Sequence, residues 1–439
     1  MKARVTLAAM LASLGLALTA TATAAAITPN PWLDRHFLNI AHQGGEDEAP
    51  SNTMYAFKSA LREGNADMLE LDVHLTSDGQ LVVLHDDTYT RTSCLPALCP
   101  GPTSGSEPAR PASQIRSMTL AQVQALDAGY WFRPGTYSHD YALAGSAYPF
   151  RGIRTGAKAP PKGYTADDFR IPTLFEVLNT FPRTPINIEI KMPKSQDPAN
   201  PYPSDCGTAD GSGPSQLCDD LDLTAPTTKA LAAVLNGAAA DRAVTKRWNC
   251  RNDQGKQGAA AKTKSSKRKK CKKTTRKIRR DDIIVVSFAQ EPMVEFASLA
   301  PRVNRAPSLP ALLEYFFATE PLNPDPVAMQ VPPVYGSAMM LELMLGPNSF
   351  NAHTNGYAVH IWTDGDDDET YASYGEIVSA GADGIMTTSP RKLNEFLCLS
   401  DVPHPDGSSR CAAPKAKKCK AKRGTAAAGK TKCKKGKPK

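Results

Sequence analysis

The chain predicts an α/β fold, and within that class a barrel of eight parallel strands with helices outside. Two observations point there. Short apolar strands alternate with segments whose apolar residues recur at helical spacing. The sequence also has no glycine-rich nucleotide turn, which the alternative, an open doubly wound sheet, would be expected to show. Eight strand–helix units close a barrel whose chemistry gathers at the carboxyl ends of its strands.

The elements follow in chain order. The start, "MKAR" then "VTLAAMLASLGLALTA" then "TATAAA", has the charged, apolar and small-residue zones of an export signal, expected at residues 1–24 with cleavage after Ala24. Its apolar run is short for a membrane span. A barrel domain is expected at 36–400. "FLNIAH" reads as the first strand, and "NTMYAFKSALREG" as a helix capped by Ser51 or Asn52. "DMLELDVHLT" is the next strand; "SDG" turns it into "QLVVLHDD", which pairs back as a hairpin. Residues 94–170 form a Pro/Gly-rich excursion with one helix, "TLAQVQALDAG". Then come helix "TLFEVLNTF", buried strand "INIEIKM" and helix "DLTAPTTKALAAVLNGA". After a basic loop at 242–280, "DIIVVSF" is strand, and "QEPMVEFASLAP" and "LPALLEYFFATE" are helices. "PVAMQVPPV", "YAVHIW" and "DGIMTT" are the remaining strands, with helices near 336–346, 369–380 and 390–398.

Charge is segregated along the 439 residues. The net charge is +8, yet residues 242–280 hold 17 Lys/Arg against one Asp, and residues 402–439 hold 13 against one Asp. The rest of the chain is therefore acidic. Runs this basic cannot build a core and are expected as a solvated loop insertion and a disordered Lys-rich tail. Anionic cell-wall polymer or lipid headgroups suit them better than nucleic acid, the plain alternative being a solubility tail. The ten cysteines fit a secreted, oxidising destination, with local pairings expected for Cys94–Cys99, Cys206–Cys218, Cys250–Cys271, Cys398–Cys411 and Cys419–Cys433.

The polar residues of the strands converge. The first strand ends at His42; the second carries Glu70 and Asp72, two apart and on one face; the hairpin ends at His85 and Asp86; "NIEIK" carries Glu189 and Lys191, again two apart. Each has a plain structural reading: a strand-end ring, an edge pair of acids, a salt bridge. Acids inside apolar strands are costly to bury unpaired, and two strands carry them, which favours a metal site. The all-oxygen set Glu70, Asp72 and Glu189 suits one hard divalent cation, Ca2+ or Mg2+. Two flanking imidazoles would exchange protons with a nucleophile and a leaving alkoxide, while Lys191 neutralises charge on a phosphoryl group. His74 and His360 are read as structural. "WTDGDDDE", Trp362 to Glu369, lacks EF-hand spacing and is read as a solvated helix start.

The stretches "IAHQGG…SNTMYAF", "MLELDVHLTSDGQLVVLHDDTYTRTS", "ALDAGYWF", "IPTLFEVL", "INIEIKMP", "GYAVHIWT" and "GADGIMTTSP" resemble the glycerophosphodiester phosphodiesterase family over about residues 40–395. The resemblance implies a phospholipase-C-like (β/α)8 barrel and metal-dependent cleavage of glycerophosphodiesters to an alcohol and glycerol 3-phosphate. It puts the paired catalytic histidines at His42 and His85, the metal ligands at Glu70, Asp72 and Glu189, and substrate contacts at Lys191 and Trp362. Two positions depart from the family's pattern. Gln43 stands where an arginine usually contacts phosphate, and Ser51 stands where "ENT" begins with an acid, a role that Glu46 or Glu48 could take over. A lysophospholipase D or sphingomyelinase-D-like enzyme is one alternative, and an impaired wall-associated binder of phosphate esters is another.

Overall fold

The computed structural model describes residues 30–95, 114–135, 148–191, 225–236, 280–318, 321–331, 337–363 and 369–411. The expected export signal, basic loop up to residue 279 and tail beyond residue 411 lie outside them. Nine strands are present among the described residues: β1 Leu38–Ala41, β2 Met68–Leu75, β3 Leu81–Val83, β4 Ile186–Ile190, β5 Ile283–Val286, β6 Asn304–Arg305, β7 Ala328–Val331, β8 Ala358–Trp362 and β9 Gly384–Thr387. Eight run parallel in the order β6-β5-β4-β2-β1-β9-β8-β7, and β3 pairs antiparallel with β2. The two ends of that path meet where the Val327 N–H donates to the Arg305 carbonyl at 2.9 Å. The fold is a TIM barrel.

Alternation along the strands separates two layers. Leu38, Ile40, Met68, Ile284, Ala328, Ala358 and Met386 fill the barrel interior. The intervening residues, such as Leu69, Leu71, Val73, Ile186, Ile188 and Ile190, pack outward against helices. These helices are α1 Met54–Arg62, α2 Leu120–Gln124, α3 Leu174–Thr180, α4 Ala225–Asn236, α5 Gln290–Leu299, α6 Leu309–Leu313, α7 Ser337–Leu345, α8 Tyr371–Ala380 and α9 Pro390–Leu399. Phe57, Leu174, Val177, Leu231 and Phe296 cover one half of the sheet. Tyr374, Ile377, Leu393 and Leu397 cover the other. The amino-terminal end is plugged by Trp32, held by Asn30, whose amide donates to the carbonyls of Val327 and Gly356 at 2.6 and 2.9 Å.

Three expectations are corrected. The cap of α1 is Thr53, whose hydroxyl accepts from the Ala56 N–H at 3.1 Å; Asn52 sits at φ +56° and uses its side chain elsewhere. A strand of two residues, β6, completes the barrel where sequence periodicity gave no strand, being too short to show alternation. The folded chain also continues to Cys411, past the expected tail start at residue 402. Arg410 is buried beneath the barrel and donates to the Phe37 carbonyl and to Asp67, both at 2.6 Å, while His404 reaches Asp67 at 2.6 Å. Cys398 and Cys411 form the expected disulfide. The other four expected pairings each include a cysteine outside the described residues.

Candidate active site

The site is built on the carboxyl ends of β1, β2 and β4 and on the segment leaving β3. After β1 the chain reverses through Gln43, Gly44 and Gly45, at φ +49°, +83° and +88°. Glycine is required at the last two positions. A Cβ on Gly44 would come within 2.8 Å of the Ala56 Cβ, and one on Gly45 within 2.6 Å of the Pro390 ring. This turn leaves His42 at the mouth. It also aims the Gln43 N–H at Glu70, whose Oε2 accepts it at 2.7 Å.

Register places the acids together. Asp72 lies opposite Glu189 across the β2–β4 ladder. Glu70, Asp72 and Glu189 bring one carboxylate oxygen each to within 4.8 Å of one another, all three buried. Burial, with Asp72 beside it, pushes the Glu70 carboxyl well above the usual range. Burial also opposes the charge on Asp72, but Lys191, His85 and His42 outweigh it and hold Asp72 low. Lys191 lies 2.8 Å from Glu189 and 3.7 Å from Asp72; burial opposes its charge, and these acids overcome that and raise it. Asp72 Oδ1 is buried with no hydrogen-bond partner among the described residues. An orphaned carboxylate oxygen within an all-oxygen donor set fits a hard divalent cation.

Both predicted histidines face this cluster. His42 offers Nδ1 to Glu46 Oε1 at 2.6 Å, and its Nε2 lies 3.9 Å from Glu70. Burial works against a charged His42 ring, yet Glu46 and Glu70 prevail and raise it to about 10. His85 Nε2 meets the Lys191 ammonium at 3.0 Å. An ammonium can only donate, so Nε2 accepts and the proton sits on Nδ1. That proton goes to Asp86 at 2.7 Å, and Arg91 grips Asp86 with two bonds of 2.7 and 3.0 Å.

Trp362 ends β8 and meets Phe288, past the end of β5, edge to face at 6.0 Å. Phe288 is 45% exposed and lies 5.8 Å from the Lys191 ammonium, so an aromatic wall borders the lysine. Gln43 is buried beside the acids. His74 bonds the His85 carbonyl through Nε2 at 3.1 Å, and burial lowers it to about 4. His360 lies inside the barrel against Trp32, likewise lowered by burial to about 4. Asp72, Lys191 and His85 act electrostatically on His74, whereas the charged groups acting on His360 are Asp383 and Arg35, away from the acids.

Sequence reasoning missed Asn52 and Phe288. The Asn52 amide donates to Asp72 Oδ2 at 2.7 Å and accepts the Asp72 N–H at 3.3 Å, fixing that carboxylate. Its position inside "SNT" was the available signal. The two candidates to replace the acid missing at Ser51 separate clearly. Glu46 takes His42, whereas Glu48 bonds the Arg391 N–H at 3.0 Å, and burial raises it to about 7.

The sequence model of the glycerophosphoryl diester phosphodiesterase family matches residues 42–202, from His42 through Glu189 and Lys191. Over that stretch the chain is similar to that family. It is 32% identical over 176 residues to the glycerophosphodiester phosphodiesterase of Bacillus subtilis, covering 40% of this chain and 47% of the relative. It is also 32% identical over 161 residues to the human lysophospholipase D GDPD1, covering 37% of each. The chain thus spans less than half the length of these relatives. A solved structure from Silicibacter pomeroyi DSS-3, assigned as a glycerophosphoryl diester phosphodiesterase, covers 87% of this chain and 99% of its own, with a TM-score of 0.50 and 18% identity. That likeness shows the shared barrel.

Proposed function

We propose that the chain hydrolyses glycerophosphodiesters to an alcohol and glycerol 3-phosphate, as a metal-dependent phosphodiesterase. One observation carries this reading. Two imidazoles, each tied at Nδ1 to a carboxylate, border a buried three-acid cluster with a lysine beside it. Glu70, Asp72 and Glu189 would hold a Ca2+ or Mg2+ ion, which supplies charge stabilisation at the phosphoryl group. Lys191 adds a fixed positive charge on the same side, where phosphate charge builds up. One imidazole takes the proton from the attacking hydroxyl, the substrate's own neighbouring hydroxyl in the family's scheme, which gives a cyclic intermediate. The other gives a proton to the leaving oxygen; water, deprotonated by one imidazole, then opens the cyclic phosphodiester while the other protonates the released hydroxyl, giving glycerol 3-phosphate. Gln43 and Trp362 complete the substrate contacts, with Gln43 offering an amide in place of the family's arginine.

A second reading keeps the site and changes the substrate to a lysophospholipid. The exposed Phe288 beside Trp362 favours it, since an apolar rim suits an acyl chain. Intact, clamped histidines speak against an impaired binding protein. Secretion belongs to the proposal and is supported by the Cys398–Cys411 disulfide. So does electrostatic association of the basic segments with anionic wall or lipid. No helix among the described residues is long and apolar enough to cross a membrane. The test is 31P NMR of the protein with glycerophosphocholine and with lysophosphatidylcholine. Glycerol 3-phosphate from the first supports the main reading, and lysophosphatidic acid alone supports the second. Neither product in Ca2+ or Mg2+ would reject both.

A further inference from the structure

We propose that Glu46 is the positioning residue for His42 and supplies the acid that this chain lacks at position 51. The proposal rests on the phosphodiesterase reading for its kinetic consequence, but its geometry stands apart from it. The left-handed turn at Gln43–Gly45 folds the chain back on itself, and the N–H groups of Glu48 and Ala49 fasten it by donating to the Gly45 carbonyl at 3.0 and 2.9 Å. Glu46, four residues beyond His42, is thereby carried over the ring, with Oε1 at 2.6 Å from Nδ1.

A carboxylate accepts and an imidazole N–H donates, so this contact fixes a proton on Nδ1. Rotation of the ring is blocked, and Nε2 is the nitrogen left facing Glu70. Asp86 does the same for His85, from a different loop. Orientation by a carboxylate at Nδ1 is a recurrent requirement for an imidazole that moves protons through Nε2. Ser51 is buried and has no carboxylate to offer, while Glu48 is engaged at the start of α9. Glu46 is therefore the acid that serves His42.

One rival role is visible. Glu46 Oε2 is buried without a hydrogen-bond partner among the described residues, so Glu46 could instead be a further ligand for the cation. Glu46→Gln and Glu46→Asp separate the roles. For a positioning residue, Glu46→Gln lowers kcat at least about tenfold, up to the roughly 10²–10⁴-fold that a general acid–base group contributes. KM and the calorimetric Kd for Ca2+ or Mg2+ stay unchanged, and Glu46→Asp recovers part of the loss. A weaker metal Kd, with kcat restored at saturating metal, would make Glu46 a ligand and overturn the proposal. Native kcat in Glu46→Gln would also overturn it. A readout independent of turnover is the hydrogen-bonded Nδ1 proton of His42, expected far downfield in the 1H NMR spectrum of the native protein. Its absence there would reject the contact even if either variant failed to fold. Should the native protein cleave no diester while that proton is present, the phosphodiesterase reading fails and the placement of Glu46 survives.

Discussion

Replacing an imidazole separates proton transfer from folding. His42→Ala and His85→Ala are each expected to lower turnover by roughly 10²–10⁴-fold. Both rings lie at the mouth rather than in the core clusters, so thermal stability should change little. Near-native turnover in either variant would remove that ring from the mechanism. Asn52→Ala should act through Asp72, weakening metal binding by about 10–100-fold, the usual effect of losing a partner that orients a ligand. Calorimetry on the folded variant checks this. Asp383 gives a pH-dependent test away from the site. Burial opposes its charge, but hydrogen bonds from His353 and the Val359 N–H, with His36 3.7 Å away, prevail and lower it from 3.8 to about 2. A depressed folded-state value stabilises above pH 4 and loses that contribution as pH falls through 2, in total about 2 kcal/mol. Native and Asp383→Asn unfolding curves should therefore converge between pH 4 and 2. A constant gap would contradict the assignment. At this scale, the acids and histidines were legible because charge inside apolar strands has few structural excuses. Asn52 was not: a polar residue before a helix reads equally well as a cap, and only its φ of +56° shows the cap to be Thr53.

Elements were legible in proportion to their length. Strand β2, with eight residues, shows its alternation openly, and the β2–β4 register that sets Asp72 against Glu189 follows from it. Strand β6, with two, has no period to read and is defined by its neighbours β5 and the chain entering β7. The carboxyl-terminal segment was missed for another reason. Its polar composition reads as tail, yet buried Arg410 and His404 converge on Asp67, and Cys411 is tied to Cys398. Truncation discriminates. Removing residues 412–439 should leave stability and turnover of a soluble diester unchanged. Removing residues 402–439 should destabilise by about 3–5 kcal/mol, since it strips Asp67 of its buried cationic partner. It also removes Cys411 and with it the covalent tie to Cys398. Equal melting temperatures for the two truncations would contradict the packing of Arg410.

At the scale of the whole molecule, the barrel was legible because strand–helix alternation and acidic strand ends agree. Its aromatic wall was not, since nothing in the sequence sets Phe288 apart from a core phenylalanine. The central claim is that the barrel mouth uses Glu70, Asp72 and Glu189 to hold a divalent cation that turnover requires. The most direct measurement is glycerophosphocholine hydrolysis by 31P NMR after EDTA treatment and dialysis, followed by titration of Ca2+ or Mg2+. Activity should vanish on chelation and return with one of the two ions. Glu70→Gln should need a higher concentration of that ion, because one ligand charge is lost. A metal-free protein that hydrolyses the diester at the native rate would contradict the account.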